Sequence, residues 1–548
     1  MEQGTRDKRG KHKRKEWLMG NGLMACLIVL LLRIPLSHII GDRGLGFLAA
    51  GFELFATAGI VLSYGLSKAV AIMVKYRLKR EMFNSIGQVY KAAMLVSIIV
   101  GAGVSVAVFF GAEVIAGMVL SEPKSYLAIA AAAPAIGFTA VLGVQRGYFE
   151  GINRMTPVFH SRILEKIILI VACVVGAVIL YPYGLKVAAL LKSEEYAAVY
   201  GAMGAAMGVT VASILAVVHL SLLHMLYGSA IKKQFRQESM RTRESMGSIL
   251  LLLLSTACPY LFYQLINGIH YLADQAIFNY FMERGSRGIS LAIDWGRYYG
   301  KYSVIIEGTA ILCSLIGLKG ISRIVQSIER EDTAELRRRL SRNIHYLAVC
   351  SIPAAIWTAI LVSPIVSVIF GQADGEAVQL IQLGSVGIIF FSFSSFFMEI
   401  LRKIRKMGIV ILGMLAAFVI HLFLLILLLK NTNLGIQAVV ISMVVFWLVN
   451  CIFGWIVVIR KLRYRQDWIR TFGITILAAG ISGAVGLLIL ALLSQVAGAW
   501  IILLLCLVLC PVLYLILLLV LRGIRKDELE EMPGGRLVIF FAQRLRLI

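Results

Sequence analysis

Long apolar runs alternate with short polar or basic segments from residue 17 to residue 521. A helix needs about 20 apolar residues to cross a hydrocarbon core roughly 30 Å thick, and most of these runs reach that length. The pattern therefore predicts an all-α polytopic membrane protein with about fourteen transmembrane helices. The predicted spans are 17–36, 47–72, 92–112, 125–145, 161–181, 197–224, 249–280, 298–320, 345–370, 377–401, 408–429, 435–459, 472–494 and 499–521.

The spacing of the spans predicts two six-helix lobes, with two further helices at the carboxyl end. A short echo supports related lobes, because Ile152-Asn153-Arg154-Met155 and Ile404-Arg405-Lys406-Met407 follow the fourth and tenth spans. We expect a disordered basic tail in residues 1–16, since that segment has almost no apolar side chain. The remaining predicted segments are an amino-terminal lobe 17–224, a cytoplasmic linker 225–248, a carboxyl-terminal lobe 249–459, two spans in 460–521 and a cytoplasmic tail 522–548.

Composition and charge agree with a membrane protein. The chain is 59% hydrophobic and 15% charged, and its formal net charge is +24. Most of the 54 Lys and Arg fall in segments predicted to face the cytoplasm, which is the positive-inside bias of membrane proteins. The charge is thus a topology signal with some attraction to anionic lipids, and it does not indicate a nucleic-acid partner. It predicts a protein of the cytoplasmic membrane with both termini inside.

Enzyme chemistry has no signature in the sequence. All eight cysteines lie in apolar runs without a CxxC pair, so neither a disulfide framework nor a metal site is predicted. The phosphate-binding pattern GxxxxGK[ST] is absent, and no Ser/His/Asp or paired-carboxylate arrangement is visible at local spacing. We therefore predict no catalytic residue and no cofactor.

Charged residues inside the predicted spans are the main candidates for a binding site, because a charge within a membrane is expensive and usually functional. Arg33 lies near the outer end of the first span, where it could snorkel to the surface or pair with Glu53. Glu307 lies near mid-membrane and needs a partner, for which Lys301 is a candidate. The candidate substrate-binding residues are Arg33, Glu53, Lys68, Asp274, Lys301 and Glu307.

Three of the polar residues inside the predicted spans have simpler explanations than substrate binding. Lys68 lies near the inner end of its span, where snorkelling accounts for a lysine. Asp274 and His421 are weaker candidates, since a lone histidine in a span is more often a hydrogen-bonded core residue.

The polar segment 142–166, predicted to follow the fourth span, combines glycine, aromatic residues and proline in a specific order. We expect Gly147 and Gly151 to allow tight backbone turns and Pro157 to lie in the first turn of the next helix. The segment is either an ordinary helix–helix turn or a gating loop. Its motif residues are Arg146, Gly147, Tyr148, Phe149, Gly151 and Pro157.

The run RGYFxGxxxMTP over residues 146–157 resembles the lipid II flippases and the stage V sporulation protein B-like proteins. Both belong to the multidrug/oligosaccharidyl-lipid/polysaccharide exporter (MOP) superfamily. Segments 33–37, 41–46, 294–302 and 531–535 resemble the same proteins in the same order. The resemblance implies two lobes around a central basic cavity and a polyprenyl-diphosphate saccharide as substrate. It places Arg33 and Lys68 at the diphosphate.

The chain departs from this family where its second lobe lacks the usual prolines, as in the predicted span 298–320. Two alternatives therefore stay open, a cation-coupled multidrug exporter and a membrane scaffold that has lost transport. The partners that the resemblance implies are the lipid-linked precursor of a cell-wall or other polysaccharide, membrane lipids, and a coupling ion or the membrane potential.

Overall fold

The computed structural model describes residues 2–235, 244–284, 291–318, 320–371, 374–404, 406–462, 466–495 and 497–524. Helices form nearly all of these ranges, as the apolar pattern predicts, and the all-α prediction is confirmed. The main helices are α1 Glu2–Phe55, α2 Val61–Lys79, α3 Phe83–Phe110, α4 Tyr126–Gly151, α5 Met155–Leu191, α6 Glu195–Phe235, α7 Met246–Arg284, α8 Leu291–Arg297, α9 Ser303–Leu318, α10 Ile321–Glu329, α11 Thr333–Phe370, α12 Gly375–Gly384, α13 Gly387–Lys403, α14 Met407–Asn431, α15 Ile436–Leu462, α16 Ile474–Leu493 and α17 Ala499–Val520.

Short helical segments complete the described chain. One turn of helix covers Ala112–Val114, and a 3₁₀ turn covers Pro123–Ser125. Four single π-helical turns also occur in the described ranges, a geometry that often marks functional sites. These π turns are Ala56–Ile60, Ile115–Val119, Tyr298–Tyr302 and Ile469–Gly473.

Within the described ranges, twelve helical stretches are long and apolar enough to cross a membrane, and the bent pair α12–α13 raises the number to thirteen. The expectation of fourteen is therefore approximate. The difference lies in Leu30–Lys79, a stretch of 50 residues that contains the end of the first predicted span and the whole of the second. Fifty helical residues are about 75 Å long, more than twice the hydrocarbon thickness. Gly41, with φ 67° and ψ −179°, breaks the helical geometry inside this stretch.

The structure describes most of the predicted amino-terminal tail, but only part of the predicted carboxyl-terminal tail and of the predicted linker. The helix α1 begins at Glu2, whereas the sequence indicated disorder for residues 1–16. Lysine, arginine, glutamate and glutamine are good helix formers, so a helix that starts further on can extend through them. The predicted tail 522–548 lies outside the described residues from 525 onward, and so do residues 236–243 of the predicted linker.

Two compact units divide the chain, and their bounds differ from those of the predicted lobes. Among the described residues, the amino-terminal unit contains those within 28–300 and 414–436, and the carboxyl-terminal unit contains those within 2–27, 301–413 and 437–524. Helix α7, predicted to begin the second lobe, packs on α2 and α3 and belongs to the amino-terminal unit. Whether the predicted lobes act as functional halves stays a prediction.

Each unit has its own apolar core. In the amino-terminal unit, α5 packs along α6, and α4 packs against α2, α3 and α6. Val70, Val89, Leu142, Phe149 and Leu253 are almost completely buried where α2, α3, α4 and α7 meet. In the carboxyl-terminal unit, α9 packs on α13 and α11 packs on α16 and α17. The buried side chains there include Leu361, Ile502, Cys506 and Cys510.

Candidate substrate and coupling site

The glycines of the 142–166 segment lie inside a helix and bring two helices into close contact. Helix α4 continues to Gly151, so the expected turns at Gly147 and Gly151 are wrong. A Cβ atom at Gly143 would lie 2.4 Å from the carbonyl oxygen of Ser63, and one at Gly147 would lie 2.5 Å from that of Ser67. Glycines four residues apart allow helix backbones to approach closely in membranes. That spacing was visible in the sequence and predicts a helix contact better than a turn.

The remaining motif residues shape the junction between α4 and α5. Only residues 152–154 form the turn, and Asn153 there adopts a left-handed backbone with φ 59°. Pro157 lies in the first turn of α5, as predicted. The rings of Tyr148 and Phe149 pack around His224 of α6, at centroid distances of 5.1 and 6.1 Å. These aromatic residues are part of the core, and a gating role for the motif stays a prediction.

Arg146 connects α4 to α5 through polar contacts. Its Nη2 atom donates to Glu165 Oε2 over 2.5 Å and to Ser161 Oγ over 3.0 Å. Lys166 Nζ donates to the other carboxylate oxygen, Glu165 Oε1, over 3.1 Å. Glu165 is thus held between two cations, with 14% of its side chain exposed.

Lys68 of α2 binds a carboxylate of α4. Its Nζ atom lies 2.9 Å from Glu150 Oε1, and the two side chains are 31% and 21% exposed. Arg162 of α5 lies within electrostatic range of Arg146, Glu150 and Glu165. Four cations therefore surround two carboxylates at this end of the amino-terminal unit, which leaves a surplus of positive charge. The basic cluster consists of Lys68, Arg146, Glu150, Arg162, Glu165 and Lys166.

Arg33 is engaged by the π-helical turn that follows α8. Its Nη1 atom donates to the carbonyl oxygen of Tyr299 over 2.8 Å, and its guanidinium carbon lies 3.5 Å from the centroid of the Tyr299 ring. A guanidinium over an aromatic face gains a cation–π attraction. Glu53 is buried, with 7% exposed, and lies within electrostatic range of Tyr299. The predicted pairing of Arg33 with Glu53 stays a prediction.

Lys301 and Glu307 are both buried in the carboxyl-terminal unit. Lys301 Nζ lies 3.1 Å from Asp374 Oδ2, so an aspartate that sequence reasoning did not single out is a partner of this lysine. Glu307 is 8% exposed and lies within electrostatic range of Tyr302. The predicted contact between Lys301 and Glu307 stays a prediction.

Asp274 and His421 meet in the interior of the amino-terminal unit. His421 Nε2 lies 2.6 Å from Asp274 Oδ1, and both side chains have no exposed surface. His270, one helical turn before Asp274, lies within electrostatic range of His421. The two partners are 147 residues apart in sequence, and no local spacing connects them. Buried Asp–His arrangements in membrane helices are typical of proton relays.

Residues 16–286 match the family described as polysaccharide biosynthesis protein. Stage V sporulation protein B of Bacillus subtilis (strain 168) is 24% identical over 172 residues. That match covers 31% of this chain and 33% of the relative, so the chain spans about a third of the curated protein it matches.

Solved transporters share the fold of the whole chain. The lipid II flippase MurJ in an inward closed conformation has a TM-score of 0.66 and 13% identity, and the match covers 91% of this chain and 98% of MurJ. The inward-facing conformation of a multidrug resistance MATE family transporter of the MOP superfamily has a TM-score of 0.62 and 14% identity, with coverage of 80% and 94%. At these identities the likeness concerns the fold.

The apolar helices and the shared fold together indicate a multi-pass membrane protein with the fold of solved transporters. The solved structures that share this fold are a flippase and a transporter. Residues 16–286 match the polysaccharide biosynthesis proteins, and the fold resembles that of solved transporters, one of which is described as a member of the MOP superfamily. The resemblance predicted from the sequence motifs is thereby confirmed.

Proposed function

We propose that this protein moves a lipid-linked saccharide, carried on a polyprenyl diphosphate, across the cytoplasmic membrane by alternating access. The observation that carries the proposal is the surplus of cations around Lys68 and Arg146 among apolar helices of the amino-terminal unit. Charges in such a position are expensive and are retained for function. The family match over residues 16–286 supports a polysaccharide precursor as substrate.

The chemistry of a diphosphate fits these side chains. Its oxygens must leave water during the crossing, and an arginine fork or a lysine ammonium can replace that hydration. Lys68 is one-third exposed and already paired with Glu150, an ion pair worth about 0–1 kcal/mol in such a setting. A phosphate oxygen can therefore displace Glu150 from Lys68 at small cost. Transport then requires only that the two access states bind the headgroup with different affinity.

Arg33 is the second proposed diphosphate ligand, and its variants test the proposal. Each variant replaces the flippase in a depleted bacterium, and both the sidedness of lipid II and the membrane abundance of the protein are measured. We expect Arg33→Ala to abolish flipping and Arg33→Lys to retain part of it, because lysine keeps the charge and loses the bidentate fork. Lys186→Gln is the matched control, since Lys186 is an exposed cation of α5.

The double variant Arg33→Ala/Glu53→Ala separates binding from structure. If Arg33 serves only to neutralise Glu53, removing both partners restores a stable and active protein. Normal abundance with normal flipping in the double variant would exclude Arg33 as a substrate ligand. Normal abundance without flipping supports the proposal.

A second candidate, cation-coupled export, is favoured by one observation. The buried pair of Asp274 and His421 can hold or release a proton inside the membrane. The discriminating assay loads vesicles containing the purified protein with a fluorescent organic cation and imposes a pH gradient. Gradient-driven movement of the dye that Asp274→Asn abolishes favours the exporter. If the wild-type protein is abundant but moves neither the lipid-linked saccharide nor the organic cation, a membrane scaffold is favoured.

A further inference from the structure

A cavity of about 840 Å³ lies in the amino-terminal unit, away from the basic cluster around Lys68. Ile40, Asp42 and Arg43 line it from the break in α1, and Tyr181, Leu185 and Lys192 line it from the end of α5. Cavities that hold small molecules usually measure about 300–1,000 Å³ and combine an apolar wall with a few polar groups. This cavity has both properties.

Two interruptions of helical geometry form the cavity. Gly41 has φ 67° and ψ −179°, a backbone that glycine adopts readily and that redirects the chain at Asp42. Helix α5 ends at Leu191, and Lys192 follows in a left-handed conformation with φ 52°. The charged residues of both interruptions therefore face one space. They are two cations, Arg43 and Lys192, and two carboxylates, Asp42 and Glu194.

Arg43 is partly buried, and its Nε atom is buried without a hydrogen-bond partner among the described residues. A buried donor without an acceptor costs about 1–3 kcal/mol, and more when the group is charged. The Nε–H group of Arg43 thus has no acceptor among the described protein atoms. An oxyanion with several acceptor oxygens satisfies the planar fork of an arginine best, and phosphate is such a group.

We propose that this cavity binds the headgroup of a zwitterionic aminophospholipid. In this arrangement Arg43 binds the phosphodiester, and Glu194 receives the ammonium group. The balanced charges of the lining favour a ligand that carries one charge of each sign. Ile40, Tyr181 and Leu185 provide the apolar wall against which the glycerol and the first acyl carbons pack. A polyprenyl diphosphate, with two negative charges and no cation, matches this lining less well.

Binding of defined lipids to the purified full-length protein in maltoside micelles tests the proposal, with native mass spectrometry as the readout. The probes are phosphatidylethanolamine, phosphatidylglycerol, phosphatidylcholine, undecaprenyl diphosphate and inorganic phosphate. We expect phosphatidylethanolamine to bind tightest. Arg43→Gln should weaken its binding about tenfold or more, the value of one charge-assisted phosphate contact. Glu194→Gln should weaken phosphatidylethanolamine and leave phosphatidylglycerol unchanged.

Two further variants keep the test decisive if Arg43→Gln fails to fold. Ala189 is exposed and lines the cavity, so Ala189→Trp fills the space without disturbing the core and should block the lipid. Lys186→Gln, which alters an exposed cation outside the cavity lining, should leave binding unchanged. Unchanged phosphatidylethanolamine binding in both Glu194→Gln and Ala189→Trp would overturn the proposal. Tighter binding of undecaprenyl diphosphate or of inorganic phosphate than of phosphatidylethanolamine would also overturn it.

Discussion

The buried pair of Asp274 and His421 gives a prediction whose size follows from its geometry. The two atoms lie 2.6 Å apart with no exposed surface. If His421 becomes alanine, the carboxyl group must stay neutral inside the membrane. An aspartic acid in water has a pKa near 3.9, and one pKa unit corresponds to about 1.36 kcal/mol, so neutrality at pH 7 costs about 4 kcal/mol. If Asp274 becomes alanine, a neutral imidazole loses one hydrogen bond, a cost of about 1–3 kcal/mol.

We therefore expect His421→Ala to lower the free energy of unfolding at pH 7 by up to about 4 kcal/mol, and Asp274→Ala by less. The double variant should cost clearly less than the sum, because the unpaired carboxyl group is gone. The measurement is unfolding of the purified protein in bicelles by added SDS, at pH 7 and pH 5. At pH 5 the penalty of His421→Ala should shrink by about 3 kcal/mol, since protonation of a carboxyl group in water is then easier.

The matched control is a buried contact without charge. Thr139 Oγ1 and Ser213 Oγ lie 3.1 Å apart between α4 and α6. Hydrogen bonds between membrane helices contribute about 0.6 kcal/mol on average, so Thr139→Ala should cost little and show no pH dependence. If His421→Ala costs no more than Thr139→Ala, or costs the same at both pH values, the ionisable pair does not behave as argued.

Two further predictions concern a helix contact and a single carboxyl group. Gly147→Ala should destabilise the protein by about 1–3 kcal/mol, because the new methyl group meets the Ser67 carbonyl, whereas Gly103→Ala has open space and should be nearly neutral in the same unfolding assay. Burial raises the pKa of Glu122 to about 7 from its usual 4.5, with Glu283 adding to the effect. The folded protein then holds a proton that the unfolded chain releases between these values, so stability falls as pH rises from about 4.5 to 7. Melting temperatures across that range should show the decrease in the wild type and a smaller decrease in Glu122→Gln, and equal slopes would contradict it.

The membrane fold could be predicted from the sequence because the signal is local. Each apolar run must be long enough for the bilayer, and the positive charge between runs orients them. The count of spans could not be predicted in the same way, since the continuous helical stretch Leu30–Lys79 is interrupted at Gly41 and contains a π-helical turn at Ala56–Ile60. Whether such a break separates two crossings depends on backbone angles, which composition does not determine.

The sequence allowed single residues of the candidate site to be predicted, but not the pairs that they form. Lys68 and Asp274 were recognisable as charges inside apolar spans, but their partners Glu150 and His421 come from helices distant in sequence. Such pairs are formed by tertiary packing, and no spacing rule within one helix contains them. Gly147 shows the opposite case, since a helix contact was legible in the four-residue spacing of glycines and was interpreted as a turn.

The contact line of Gly143, Gly147 and Gly151 has a mechanical consequence for any transport cycle. At the first two of these positions a carbonyl of α2 would touch the Cβ that glycine lacks, so the two backbones meet without intervening side chains. Helices packed in this way have no side chains between their backbones that could change conformation to allow one helix to slide along the other. Close packing therefore transmits a displacement of one helix to its neighbour. Helices α2 and α4 should therefore behave as one rigid unit. The two helices then move together during transport. Spin labels placed on α2 and α4 should keep the same separation in every access state.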